Sequence, residues 1–182
     1  MATLLARNGT CLTIRPLTSA DFGALIDFHA ALSVSTRSLF WPHAYDEPTL
    51  TRYAQRHAEG QDRIHLLCTP AAVVGYFFLW EFDHPVPLLG LGLADAWQGQ
   101  GLGAAMLQHL IAEARAARRD GIELTTVTTN TRAFRLYTRA GFVRIGDVEN
   151  LAGDGRIVRE HRLFLALAPD ARPPVRDFKP PV

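Results

Sequence analysis

Three features of the chain predict a single domain of mixed α/β (α+β) class, with helices flanking a sheet. Strand-like runs alternate with segments whose apolar residues recur at helical spacing. The first half is rich in hairpin-like strand pairs. A glycine-rich segment joins one strand-like run directly to a long helix. With 182 residues, 48% of them hydrophobic, the chain can bury a core that needs no disulfides.

Residues 11–15 alternate apolar and polar positions and read as the first strand. Thr18 followed by Asp21 has the form of a capping box, so a first helix starts there. Phe22, Leu25, Ile26, Phe28 and Leu32 carry that helix to about Ser33. An aromatic connection follows, with Phe40, Trp41, His43 and Tyr45, and Pro48 opens a second helix that reaches about Arg56. Residues 64–68 and 73–82 are strands, the second rich in aromatic and β-branched side chains. His84-Pro85-Val86-Pro87 breaks the chain before a strand over 88–93.

A helix then covers 101–119, with His109 and Glu113 at the margin of its apolar stripe. Arg118 and Arg119 suit the negative end of its dipole, and Gly121 suits its C′ position. Strands over 122–128, 142–148 and 157–165 and a short helix over 131–139 complete a domain assigned to residues 1–167. Pro169, Pro173, Pro174, Pro180 and Pro181 mark 168–182 as an extended or disordered tail.

A formal net charge of +1 argues against the broad basic surface that nucleic-acid binding requires. No apolar run approaches the roughly 20 residues of a membrane-spanning helix. The first residues turn polar too soon for a signal peptide, so a cytoplasmic location is expected. Cys11 and Cys68 lack metal-ligand or Cys-x-x-Cys spacing and read as reduced core residues; no metal is expected.

Two stretches carry the chemistry. The first is Gln98-Gly99-Gln100-Gly101-Leu102-Gly103, where backbone N–H groups at a helix start can converge on a diphosphate. Its glycine spacing departs from the dinucleotide fingerprint Gly-x-Gly-x-x-Gly, which speaks against an oxidoreductase. It also lacks the Gly-Lys-Ser/Thr of a P-loop. The second runs from Asn130-Thr131-Arg132-Ala133 through Leu136-Tyr137 to Gly141-Phe142, directly after a strand. Read as Gln-x-x-Gly-x-Gly followed by Asn-x-x-Ala-x-x-Leu-Tyr-x-x-x-Gly-Phe, the pair resembles the acetyl-CoA-binding core of the GNAT superfamily of N-acetyltransferases.

That resemblance implies a mixed, mostly antiparallel twisted sheet in which acetyl-CoA lies between two splayed parallel strands, here 88–93 and 122–128. It implies that the amides of Gln98, Gly99, Gln100, Gly101, Leu102, Gly103 and Ala104 hold the pyrophosphate. Backbone groups of Leu91 and Leu93 would pair with the pantetheine arm, and Asn130 and Ala133 would adjoin it. Tyr137 would protonate the departing thiolate, a task suited to a phenol. The amine acceptor, a small molecule or a peptide, must itself lose a proton. Many relatives carry an acidic residue at the start of the cofactor strand, but Pro87-Leu88-Leu89-Gly90 has none. Glu81 is the first candidate base, with Asp83, His84 and Asp95 behind it. Arg132, Arg135 and Arg139 read as a solvated face or as a site of attraction for the 3′-phosphate. The missing carboxylate keeps a second class open, a non-catalytic acyl-CoA-binding sensor, and exposed strand edges near the C-terminus are compatible with a homodimer.

Overall fold

The computed structural model describes residues 2–176; Met1 and the last part of the tail, with Pro180 and Pro181, lie outside the described residues. Eight strands form one sheet: β1 (Ala2–Leu5), β2 (Cys11–Pro16), β3 (Arg63–Cys68), β4 (Val73–Trp80), β5 (Leu88–Leu93), β6 (Gly121–Val127), β7 (Val143–Leu151) and β8 (Ile157–Ala166). Their order across the sheet is β1-β2-β3-β4-β5-β6-β8-β7. Every neighbouring pair is antiparallel except β5 with β6.

Helices cover both faces. The cluster containing α1 (Phe22–Ala31) and α3 (Glu47–Ala58) packs Leu25, Phe28, Leu50 and Tyr53 onto Ile64, Leu66, Tyr76, Phe78 and Trp80. The opposite cluster packs α4 (Leu102–Ala116), through Met106, Leu107, Leu110 and Ile111, onto Leu67, Val74, Phe77, Leu79 and Leu89. Tyr137 of α5 (Thr131–Arg139) joins the same cluster. β4 is therefore buried at all of its positions, which is why it reads as an uninterrupted apolar run. Among the described residues no helix is long and apolar enough to cross a membrane.

Several local expectations shift. Thr18 caps a 3-10 turn that leads into α1, and Asp21 is gripped by Arg15 at 2.7 and 2.5 Å. α1 stops at Ala31 because Ser33 caps a further short helix, α2 (Val34–Leu39), inside the stretch read as a connection. α4 ends at Ala116, and the left-handed residue just beyond it is Arg118 (φ 55°). Gly121 instead opens β6, where a Cβ would lie 2.6 Å from the Phe164 ring. Cys11 is exposed, since the alternation of β2 turns Leu12 and Ile14 into the core and Cys11 outward; both cysteines are free thiols. The tail as far as Arg176 packs back on the body: its guanidinium meets Glu81 and Glu123 and donates to the Val86 carbonyl, while Arg162 donates to that of Pro174.

Candidate active site

β5 and β6 pair at a single position, Leu88 with Glu123, and then part. Glu123, fully buried at the vertex, is paired with Arg162 and Arg176. From Leu89 onward the edge of β5 that faces β6 has no strand partner, so its N–H and C=O groups, apart from the Leu93 carbonyl that the Gln98 side chain meets, are open to an extended ligand. A cleft of about 720 Å³ occupies this gap, which is ample for a pantetheine arm.

The phosphate end of the cleft is built by the turn between β5 and α4. Gly99 (φ 76°) and Gly101 (φ 85°) take left-handed conformations, and Gly101 is the N-cap of α4. A Cβ on Gly99 would meet nothing within 4 Å, so backbone conformation rather than crowding calls for glycine there. The Gln98 side chain donates to the Leu93 carbonyl at 2.9 Å and reaches Thr36 Oγ1 at 3.5 Å, tying the turn to β5 and α2. The amides at the head of a fifteen-residue helix have the donor chemistry a diphosphate needs.

α5 supplies one wall. Asn130 caps it by accepting from Ala133 N at 3.1 Å and also lines the cleft. Ala133 and Tyr137 line the same wall. Arg132, Arg135 and Arg139 are exposed and border it. Burial, then the charge of Glu160, push the Tyr137 phenol above its ordinary pKa of 10, so it stays protonated at neutral pH.

The other wall is aromatic. Phe40, Trp41, Phe78 and Trp80 line it, and β5 makes room for two of them by having no side chains at alternate positions. A Cβ on Gly90 would fall 2.2 Å from Phe78, and one on Gly92 2.3 Å from Phe40. Gly153, at the β7–β8 turn, donates to the Trp41 carbonyl at 2.8 Å and brings Asn150 and Leu151 over the cleft. His43 and Tyr45, from the same connection, are instead core residues. His43 Nε2 lies 3.0 Å from Tyr76 Oη, and Tyr45 stacks on His29 at 4.0 Å. Desolvation lowers the His43 pKa to about 4, which keeps its ring neutral.

Of the expected binding residues, Leu91, Leu93, Gln98, Gly99, Gly101, Gly103, Ala104, Asn130, Ala133 and Tyr137 come together on the cleft. Gln100 and Leu102 do not line it: the Gln100 carbonyl accepts from Arg7 N, and Leu102 is a core residue. Glu81 does not line it either. It sits in a left-handed turn after β4 (φ 51°) with its carboxylate on Arg176. Asp95 is engaged elsewhere, accepting from Ser33 N (2.9 Å), Ser33 Oγ (2.7 Å) and Thr36 Oγ1 (2.6 Å). Those bonds lower its pKa to about 2. Asp83 and His84 are likewise absent from the lining.

Among the described residues the one carboxylate that lines the cleft is Glu160 of β8, which accepts from Asn150 Nδ2 at 3.1 Å. The alternation of β8 puts Val158 and Glu160 on the cleft together. Sequence reasoning missed it, because only the non-sequential order β6-β8-β7 carries that face to the gap.

The model of the Acetyltransferase (GNAT) family matches residues 31–142, more than half of the chain. No curated protein sequence matches it. Among solved structures, the GNAT domain of S. lividans PAT superposes with a TM-score of 0.75 at 18% identity, covering 91% of this chain and 96% of that one. Spermidine N-acetyltransferase from Vibrio cholerae, in complex with CoA and spermine, gives 0.68 at 20% identity, over 85% and 95% of the two chains. A putative acetyltransferase from Salmonella typhimurium with its cofactor acetyl-CoA gives 0.69 at 23% identity, over 91% and 99%. At these identities the likeness is one of fold, but together with the family match and the glycine cradle beside a splayed strand pair it leads to one conclusion: the chain belongs to the GNAT family of acetyltransferases.

Proposed function

We propose that this protein is an N-acetyltransferase that moves an acetyl group from acetyl-CoA to a primary amine, of a small molecule or a peptide, by direct attack in a ternary complex. The observation that carries the reading is the parted strand pair, with donors for a diphosphate at one end and a protonated phenol on its wall. Acetyl-CoA supplies an activated thioester. The Gln98–Ala104 turn holds its diphosphate, the open edge of β5 at Leu91 and Leu93 aligns its amide arm, and Arg132, Arg135 and Arg139 attract its 3′-phosphate.

Glu160 takes the proton of the incoming ammonium, directly or through water, and leaves a neutral amine to attack the thioester carbonyl. As the carbon–sulfur bond breaks, Tyr137 gives its proton to the thiolate, the new amide nitrogen sheds its second proton to solvent, and the proton held by Glu160 returns through solvent to the phenolate. Phe40, Trp41, Phe78 and Trp80 favour an acceptor whose amine is carried on an apolar or aromatic body.

The test is release of free thiol from acetyl-CoA in the presence of a panel of amines: aromatic amines, peptides with free N-termini, polyamines and lysine-containing peptides. Turnover with at least one member supports the reading. Tight CoA binding without transfer to any acceptor replaces it with an acyl-CoA sensor.

A further inference from the structure

We infer that His65, His109 and Glu113 form a transition-metal site of the zinc-binding type on the α4 face of the sheet, outside the cleft. β3 turns Ile64 and Leu66 toward α1 and α3, and so turns His65 toward α4. His109 and Glu113 stand four residues apart on one face of that helix, the spacing that brings two side chains to a common point. Their candidate ligand atoms and that of His65 all lie within 4.8 Å of one another.

His65 Nε2 is 2.8 Å from Glu113 Oε2, and His109 Nε2 is 3.7 Å from Glu113 Oε1. Tetrahedral bonds of about 2.0–2.1 Å set ligand atoms about 3.3 Å apart, between these two separations. Closing the remaining distance needs only rotation of His109 and Glu113, whose side chains are 25% and 29% exposed and so free to adjust. Their exposure also leaves a fourth position for water.

Two imidazoles and a carboxylate are a borderline donor set suited to zinc. Arg63 is the nearby cation that acts on Glu113, but its guanidinium lies over the Phe82 ring at 4.5 Å and donates to the Asp62 carbonyl. His57 stands outside the trio, its ring centroid 6.5 Å from that of His65. A bound ion would pin α4, whose first turn forms the phosphate cradle, to β3 in the middle of the sheet.

The experiment is a titration of tag-free, chelator-stripped full chain with zinc alone, read by calorimetry and by the thermal shift at saturating metal. The expected result is one equivalent bound per chain, with a raised Tm. His109→Ala and Glu113→Gln, both at partly exposed positions, are each expected to weaken binding by at least ~10-fold while the stripped proteins keep the wild-type fold by circular dichroism. Cobalt(II) in place of zinc is expected to give the visible absorption of a four-coordinate centre. Absence of stoichiometric binding, or unchanged binding in both variants, overturns the site. None of these readouts depends on acetyl transfer, so the site and the proposed activity fail separately.

Discussion

Replacing Tyr137 with phenylalanine removes one oxygen atom and little else. The ring is 5% exposed and packs beside Phe142 at 5.8 Å, contacts that phenylalanine retains, so stability is expected to change by less than about 1 kcal/mol. Because burial and then Glu160 raise the phenol above pKa 10, under about 0.1% of it is ionised at pH 7. The whole population can therefore act as an acid. General acid catalysis typically contributes about 10²–10⁴-fold, so kcat is expected to fall by that factor, roughly 3–5 kcal/mol of barrier. The Kd for acetyl-CoA is expected to stay within about threefold of wild type, because the diphosphate turn and the β5 edge are untouched. Thiol release under saturating substrates, together with a single-turnover measurement, checks this. Equal single-turnover rates for the two proteins would refute the acid role, as would an alkaline limb near pH 10 in the wild type, since the phenol that donates must titrate above that value.

Glu160→Gln keeps the hydrogen bond with Asn150 but cannot take a proton, so kcat/KM for the amine is expected to fall at least ~10-fold at neutral pH, with recovery at higher pH where the free amine is abundant; the pH–rate profile is the check. Gly101→Ala forces a Cβ onto a left-handed residue (φ 85°), and is expected to cost about 1–2 kcal/mol of stability in a urea melt and to weaken CoA binding by calorimetry. Asp21 is held ionised by Arg15 first, against burial, with Thr18 assisting, so its folded pKa lies below the ordinary 3.8. Its stabilisation is complete above that value and drains away as pH falls through the lower folded pKa. Asp21→Asn is expected to cost about 1 kcal/mol at pH 7 and to lessen the loss on acidification, read by denaturant melts across pH.

Legibility in the sequence followed how local the determinants are. α5 was read at its observed bounds because its signals are contiguous: Asn130 as cap, Gly141 (φ 98°) just beyond its end, and an apolar stripe between. The glycine turn was equally local. α2 escaped because its six residues have little helical pattern and its N-terminus is held by Asp95, 62 residues from Ser33. β1 escaped because it is a four-residue strand whose place is set by pairing with β2. Phe40 and Trp41, read only as part of an aromatic connection, line the cleft, Phe40 because Gly92 leaves room for its ring, a fact visible only once β5 and the connection are side by side. His65, His109 and Glu113 show the same limit. The helix margin was legible in His109 and Glu113, but the strand residue that completes the trio was not.

The Asp95 carboxylate, which accepts from Ser33 and Thr36 while its own turn leads into Gln98, makes one cooperative unit of two segments far apart in the chain. Local opening of α2 breaks bonds that also steady the diphosphate turn, and loosening of that turn releases α2. By thermodynamic linkage, a ligand held at the turn is expected to slow the fraying of α2 and to stiffen the adjoining Phe40 and Trp41 wall. For the proposed transfer the expected binding order is therefore donor first and acceptor second. Its signature is slower amide exchange at Thr36, Arg37 and Phe40 when CoA alone is added.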